Sequence, residues 1–474
     1  MLYAILRFIF RIANRFYFKS FQVRGAENIP DKGPVFFVAN HPSAFMDPIV
    51  IASVVKRPLF FLAKGALFQN AFTRWLFPKF HMIPIFRSDE TPGQMHKNKE
   101  VFSHCYKHFA KSGAILVFPE GISLTERKIK KIKTGTARIA LGAEAENNFG
   151  LDLQIVTVGL NFSNPHQFQS ELFVNIDKPI KVSDYFELYR QDAFKAAHAL
   201  TDEIRKRLET QVVAIQDSDL DRLVANIELI YKSQLLKDLG HSPKEMQNDF
   251  NMTRDISDSV HYFMESDPLR VRRFSNEVET YLKNLERLSL NDHLIREVKK
   301  SRPLFDALKS LLYLVLGFPV FVFGFINNFL PFKIPGLAAR RMSRRAEFFG
   351  SIALSMGIFT FIIFYSVQIW LVNKFSGDWR LALCYAILLP VSGLFAFYYF
   401  KRFTTMRGNW KVFSLFYRRA KLVASLISKR ESIISALEKG KVDFINYRDG
   451  GKKPDDKEAE EQASDLNNFF SLNI

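Results

Sequence analysis

Three stretches, residues 310–332, 348–372 and 381–400, contain no charged residue, and they limit the fold more than anything else in the chain. In hydrocarbon a backbone must satisfy its own polar groups, so a crossing segment is a helix of about 20 residues. The second and third stretches are long enough. The first is interrupted by Pro319, Asn327-Asn328 and Pro331. Flanking charge suggests how they are arranged. Lys333, Arg340, Arg341, Arg344 and Arg345 follow the first stretch, and Lys401, Arg402, Arg407, Lys411, Arg418, Arg419 and Lys421 follow the third. Only Lys374 and Arg380 flank the link between the second and third. The excess of Lys and Arg puts the first and last groups on the cytoplasmic face. If the N-terminal part lies on that face as well, the first stretch cannot cross once. The expectation for residues 304–402 is a re-entrant or interfacial segment followed by a two-helix hairpin.

Lys and Arg outnumber Asp and Glu by 66 to 48, a net charge of +18, which calls for an anionic partner. Many of these charges flank the apolar stretches and Phe occurs 49 times, so the partner expected is membrane lipid and not nucleic acid. Cys105 and Cys384 form no disulfide framework and no metal-ligand spacing, which fits a reducing compartment. Residues 1–20 repeat Arg7, Arg11, Arg15 and Lys19 along one helical stripe among apolar and aromatic residues. This reads as an interfacial amphipathic helix, or as one packed on its own domain.

Residues 21–182 alternate short apolar runs with helical patterns, the texture of a mixed, largely parallel sheet flanked by helices, an α/β fold. Strands are expected at 21–23, 35–39, 59–63, 82–86, 114–118, 155–160 and 172–176. Helices are expected at 49–55, 66–77, 94–111 and 135–147. Residues 183–303 turn charged and helical, a helical extension. Residues 403–447 read as a basic amphipathic helix, and 448–474 as a tail too polar to pack a core.

Four segments of the α/β part carry polar chemistry. Asn40-His41 ends the apolar run at 35–39, and Asp47 follows with five residues between. A His oriented by a carboxylate takes protons from hydroxyls. At about 100° per residue this spacing cannot share one helix face, so a turn at Pro42 must bring the pair together. The second segment, 83–87, ends in Arg87. The third holds Pro119-Glu120-Gly121, then Ser123, Lys133 and Gly135. The fourth is the apolar strand 155–160.

In this order and spacing the segments resemble the glycerol-phosphate acyltransferase superfamily over residues 20–180. The His–Asp interval is one residue longer than the common pattern and is similar to the fungal glycerol-3-phosphate and dihydroxyacetone-phosphate acyltransferases. Thr157 stands where the family has a proline. The resemblance implies a membrane-bound enzyme of phospholipid synthesis with a cytoplasmic catalytic domain. It would transfer an acyl group from acyl-CoA or acyl carrier protein to glycerol-3-phosphate or its 1-acyl product. Other lyso-lipids and a non-catalytic lipid-binding role are the alternatives. The resemblance makes His41 and Asp47 catalytic. It makes Asn40, Arg87, Pro119, Glu120, Gly121, Ser123, Lys133 and Gly135 substrate-binding, with Arg87 and Lys133 on the acceptor phosphate. It implies no metal and no cofactor beyond the acyl-carrying co-substrate.

Overall fold

A computed structural model describes residues 2–87, 92–240, 242, 245–298, 303–418 and 420–448. They fall into two units, residues 1–216 with 329–385, and residues 217–328 with 386–474.

The first unit is built on one sheet. Its elements are α1 (Leu2–Tyr17), β1 (Ser20–Arg24), β2 (Val35–Ala39), α2 (Met46–Val54), β3 (Leu59–Lys64), α3 (Ala71–Leu76), β4 (Met82–Ile85), α4 (Asn98–Ala110), β5 (Ala114–Val117), α5 (Gly135–Glu146), β6 (Gln154–Phe162), β7 (Glu171–Ile176), β8 (Ile180–Lys181), α6 (Phe186–Gln191) and α7 (Ala193–Gln211). The strand order is β1-β7-β6-β2-β5-β3-β4, with β8 on β6. All pairs are parallel except β6–β7 and β6–β8. The sheet is therefore the mixed, largely parallel one expected.

β2 explains why a continuous apolar run was needed. It lies between β5 and β6, and all five of its residues are buried. Phe36 and Val38 face a core shared with Phe109, Leu141 and Leu200. Val35 and Phe37 face the other, shared with Met46, Val50 and Val174. Covered on both faces, the strand cannot alternate with polar residues. Its C-terminal end opens directly onto Asn40 and His41.

α1 packs on its own domain. Asn14 is buried and donates to Ser53 Oγ on α2 (3.2 Å), and Arg7 donates to the Lys56 carbonyl (2.7 Å). On the opposite side Ile5, Phe8, Ile12 and Phe16 stay exposed, an apolar stripe suited to a lipid interface.

The second unit holds α8 (Ser218–Ile227), α9 (Ser233–Asp238), α10 (Met246–Ser266), α11 (Pro268–Arg287) and α12 (Asp292–Val298). The chain continues through α13 (Pro303–Met342), α14 (Phe349–Ser376), α15 (Trp379–Arg418) and α16 (Ala420–Arg448). α16 buries Leu426 and Ile433 in a core with Ile230, Val278 and Tyr281. In that core Arg430 bridges Asp292 (2.8 Å), which also accepts from the Tyr281 hydroxyl (2.8 Å). The tail expected at 448–474 lies, apart from Arg448, outside the described residues.

Three helical stretches, Leu308–Met342, Ala346–Ser376 and Trp379–Arg407, are long and apolar enough to cross a membrane. The first differs from expectation: α13 runs unbroken through Pro319 and Pro331. Nearby polar side chains bond back into the helix, Asn327 to the Phe323 carbonyl and Asn328 to the Gly324 carbonyl (2.8 Å each). Pro335, in the same helix, removes the usual donor to the Pro331 carbonyl, and Thr360 Oγ1 of α14 donates there instead at 3.0 Å, which is how apolar helices tolerate proline.

Candidate active site

The turn between β2 and α2 brings His41 to Asp47. His41 Nδ1 lies 2.8 Å from Asp47 Oδ2, and the same oxygen accepts the Ser43 N–H at 2.8 Å. The imidazole stacks on Phe118 at the end of β5, centroids 4.0 Å apart. Ala44 makes the turn with φ at 41°, a left-handed conformation unusual outside glycine. Ser123 Oγ accepts its N–H at 2.7 Å.

Burial polarises this pair. Asp47 is wholly buried, whereas the His41 side chain keeps 19% of its surface. Desolvation pushes the Asp47 carboxyl above the usual range, against the opposing hydrogen bonds of His41 and the Ser43 N–H. With Nδ1 held by the carboxylate, Nε2 is the nitrogen placed to take a proton, and the carboxylate stabilises the imidazolium that results.

Glu120 braces the same loop. Its Oε1 accepts the His41 N–H at 3.2 Å and its Oε2 the Lys130 N–H at 3.0 Å. Burial raises its carboxyl above the usual range, although those N–H groups oppose the shift. One oxygen thus holds the backbone that carries His41, and the other the loop at Lys130. Gly121 has φ at 79°, and the Arg87 guanidinium donates to its carbonyl. The positive φ favours glycine there, and a Cβ would also crowd Arg87 Nη1 at 3.0 Å. Arg87 is thereby fixed beside the turn at 118–121 and one element away from His41.

The remaining candidates divide. Pro119 accepts the Lys133 N–H at 3.1 Å, which ties Lys133 to the same turn; its side chain is exposed. Gly135 opens α5, and no atom lies within 4 Å of where its Cβ would be. Asn40 is occupied structurally. Its amide donates to the Leu160 carbonyl (3.0 Å) and its oxygen accepts the Leu160 N–H (2.7 Å), extending the β2–β6 ladder by one side-chain rung.

Sequence reasoning missed Thr125 and His166. Thr125 Oγ1 donates to the Pro42 carbonyl at 3.0 Å and lies 3.1 Å from His166 Nε2. No local pattern marks a contact across 83 or 41 residues. Among the described residues no group of three His, Cys, Asp or Glu side chains is arranged to hold a metal ion.

Comparison with known proteins points the same way. Residues 20–161 match the family described as Acyltransferase. An uncharacterised acyltransferase of Schizosaccharomyces pombe is 25% identical over 245 residues, 51% of this chain and 35% of that protein. Glycerol-3-phosphate O-acyltransferase 1 of Saccharomyces cerevisiae is 26% identical over 202 residues, covering 42% of this chain and 26% of the yeast protein. The matched region therefore spans about a third or less of these curated relatives' length. A 1-acyl-sn-glycerophosphate acyltransferase from Thermotoga maritima matches 43% of this chain and 79% of its own at 19% identity, with a TM-score of 0.30.

Proposed function

We propose that the chain, whose residues 20–161 belong to the acyltransferase family in the glycerol-phosphate acyltransferase superfamily, is a membrane-bound O-acyltransferase of phospholipid synthesis. The donor is an acyl thioester, acyl-CoA or acyl carrier protein, and the acceptor is glycerol-3-phosphate or its 1-acyl product. The observation that carries the reading is the 2.8 Å bond from His41 Nδ1 to the buried Asp47.

The chemistry follows from that bond. His41 Nε2 removes the acceptor hydroxyl proton as its oxygen attacks the thioester carbonyl. The C–O bond forms, the C–S bond breaks, and the imidazolium returns its proton to the leaving thiolate. Asp47 holds the tautomer and balances the transient charge. Arg87, with Lys133, binds the acceptor phosphate; a guanidinium offers a planar fork of donors suited to it. Glu120 and Asn40 act on the geometry of the His41 backbone. The apolar helices and the exposed stripe of α1 hold the domain at a membrane, and the basic clusters support a catalytic face on the cytoplasmic side.

The test is acylation by purified membranes. Labelled acyl-CoA is offered with glycerol-3-phosphate and, separately, with 1-acyl-glycerol-3-phosphate. General acid–base catalysis contributes about 10²–10⁴-fold, so His41→Ala should lower turnover by at least about a hundredfold while leaving membrane association intact. Product from one acceptor identifies the step. Product from neither, with acyl carrier protein and other lyso-lipids also inert, would refute the enzymatic reading.

A further inference from the structure

The start of α14 reaches the loop that carries His41 by two routes, both inside the first unit. The direct route is aromatic. Phe45 lies between His41 and Asp47 in sequence, and its ring meets that of Phe348 edge-on, centroids 5.7 Å apart at 60°. The second route passes through residues 165–166. A Cβ on Gly350 would overlap the Pro165 carbonyl oxygen, so α14 approaches that backbone as closely as a glycine allows. The neighbouring His166 ring lies 6.3 Å from Phe349. Its Nε2 meets Thr125 Oγ1 at 3.1 Å, and the Thr125 hydroxyl donates to the Pro42 carbonyl. The single Thr125 proton is used on Pro42, so His166 must be the donor in the first bond.

The loop between these routes needs outside support. Ala44 is held at a positive φ, a conformation that persists only where surroundings over-determine it. Ser123 supplies one brace through the Ala44 N–H, Phe348 meets Phe45 on one side, and Thr125, bonded to the His166 beside α14, holds Pro42 on the other. Two turns into α14, Leu354 is buried in the same core as Met46 and Val50 of α2. The start of this apolar helix is part of the domain it leaves.

We propose that the start of α14, with its N-cap Phe348, is a positioning element for acyl transfer: it holds loop 42–45 so that His41 stays on Asp47, and Phe348 and Gly350 are its working residues. The effect on turnover rests on the function proposed above, whereas the effect on the loop does not. The full chain in membranes is compared as wild type, Phe348→Ala, Phe348→Leu, Gly350→Leu and Phe375→Ala. The last is a control at the far end of α14, where Phe375 is 84% exposed. Hydrogen exchange of a peptide covering 41–47 and the split between kcat and KM are the readouts.

Phe348→Ala and Gly350→Leu should speed exchange in 41–47 while leaving β2, β5 and β6 unchanged. Small misplacements of a reacting group can cost up to about 10²-fold, and here a kcat loss of about tenfold is expected with acceptor KM within about twofold. Phe348→Leu, which keeps bulk at the contact, should restore most of the rate, and Phe375→Ala should match wild type. Unchanged exchange in 41–47 overturns the proposal, as does faster exchange spread evenly over the domain, which would mean loss of stability only. Faster loop exchange with wild-type kcat overturns the link to catalysis. If wild type acylates no acceptor, the proposed function fails and the exchange comparison alone decides the positioning role.

Discussion

Asp47 is a buried carboxyl, and the proposed role as partner of His41 would account for its place. A wholly buried carboxylate has lost its hydration, and its raised pKa records that loss. The sign follows from linkage. A carboxyl whose folded pKa lies above its unfolded one favours the folded state relatively more at low pH, and that advantage is lost as pH rises through the folded pKa. Asp47→Asn removes the charge but keeps the shape. It should therefore cut turnover by about 10²–10⁴-fold, since the imidazolium loses its partner, yet melt at a higher temperature than wild type at pH 7–8. The melting gap should close below about pH 4, where the unfolded-state carboxyl is protonated too. A variant less stable than wild type at neutral pH would refute this account. Thr157 offers a second case. It is fully buried on β6 and its hydroxyl has no hydrogen-bond partner. Thr157→Val should raise stability by about 1 kcal/mol, because an unpaired buried hydroxyl costs roughly 1–3 kcal/mol; thermal melts in detergent would show it. The residue types of the site were legible in sequence because a His–Asp pair, an arginine and a Pro-Glu-Gly turn each carry their chemistry on their face. Their bonds were not. Glu120 reaches the His41 N–H across 79 residues, and Asn40 spends its amide on Leu160 across 120.

Elements were most legible where one physical demand ruled the whole segment. β2 and β5 are apolar throughout, and β6 is so apart from Gln154, Thr157 and Asn161, because both faces of the sheet are covered. The helix expected over 66–77 is instead α3 between two 3₁₀ turns, Gly65–Phe68 and Phe77–Phe80. Asn70 caps α3 from inside that stretch by accepting the Thr73 N–H at 2.7 Å, and Pro78 joins the turn after it. β8, with two residues, is too short for any periodicity to reveal. In the second unit α13 and α15 meet through small and polar residues. A Cβ on Gly324 would overlap the Ser392 carbonyl, and Asn328 donates to the Leu389 carbonyl at 3.2 Å. Between apolar helices such polar contacts contribute about 0.6–2 kcal/mol each. Asn328→Leu should accordingly lower the melting free energy of the detergent-solubilised protein by about 1 kcal/mol, and no loss would mean that the side chain stays satisfied within its own helix.

At the scale of the whole molecule, the sidedness of the chain follows from the start of α14. Its residue Leu354 packs in the core that contains Tyr17, Met46 and Val174, so Phe348 and Gly350 must lie on whichever face the sheet domain occupies. α14 extends to Ser376, a length sufficient to carry Gly377 and Asp378 to the opposite face. The charge distribution predicts which face is which. Arg340, Arg341, Arg344 and Arg345 precede α14 closely, whereas only Lys374 and Arg380 lie near the turn beyond it. By the positive-inside rule that bias predicts a cytoplasmic domain. Cysteine labelling with a membrane-impermeant maleimide can read both steps in one background. Cys384 is exposed and is replaced by Ala; Cys105 can remain, because it is buried and its thiol is pushed up to about 12 by desolvation, leaving almost no thiolate. In sealed cells Asp378→Cys should react at once, and Ser343→Cys only after permeabilisation. The reverse pattern would place the domain on the outer face and leave α14 as a crossing helix. Reaction of both from one side would mean that α14 does not cross, and the basic residues before it would then be a lipid-binding patch with no bearing on topology.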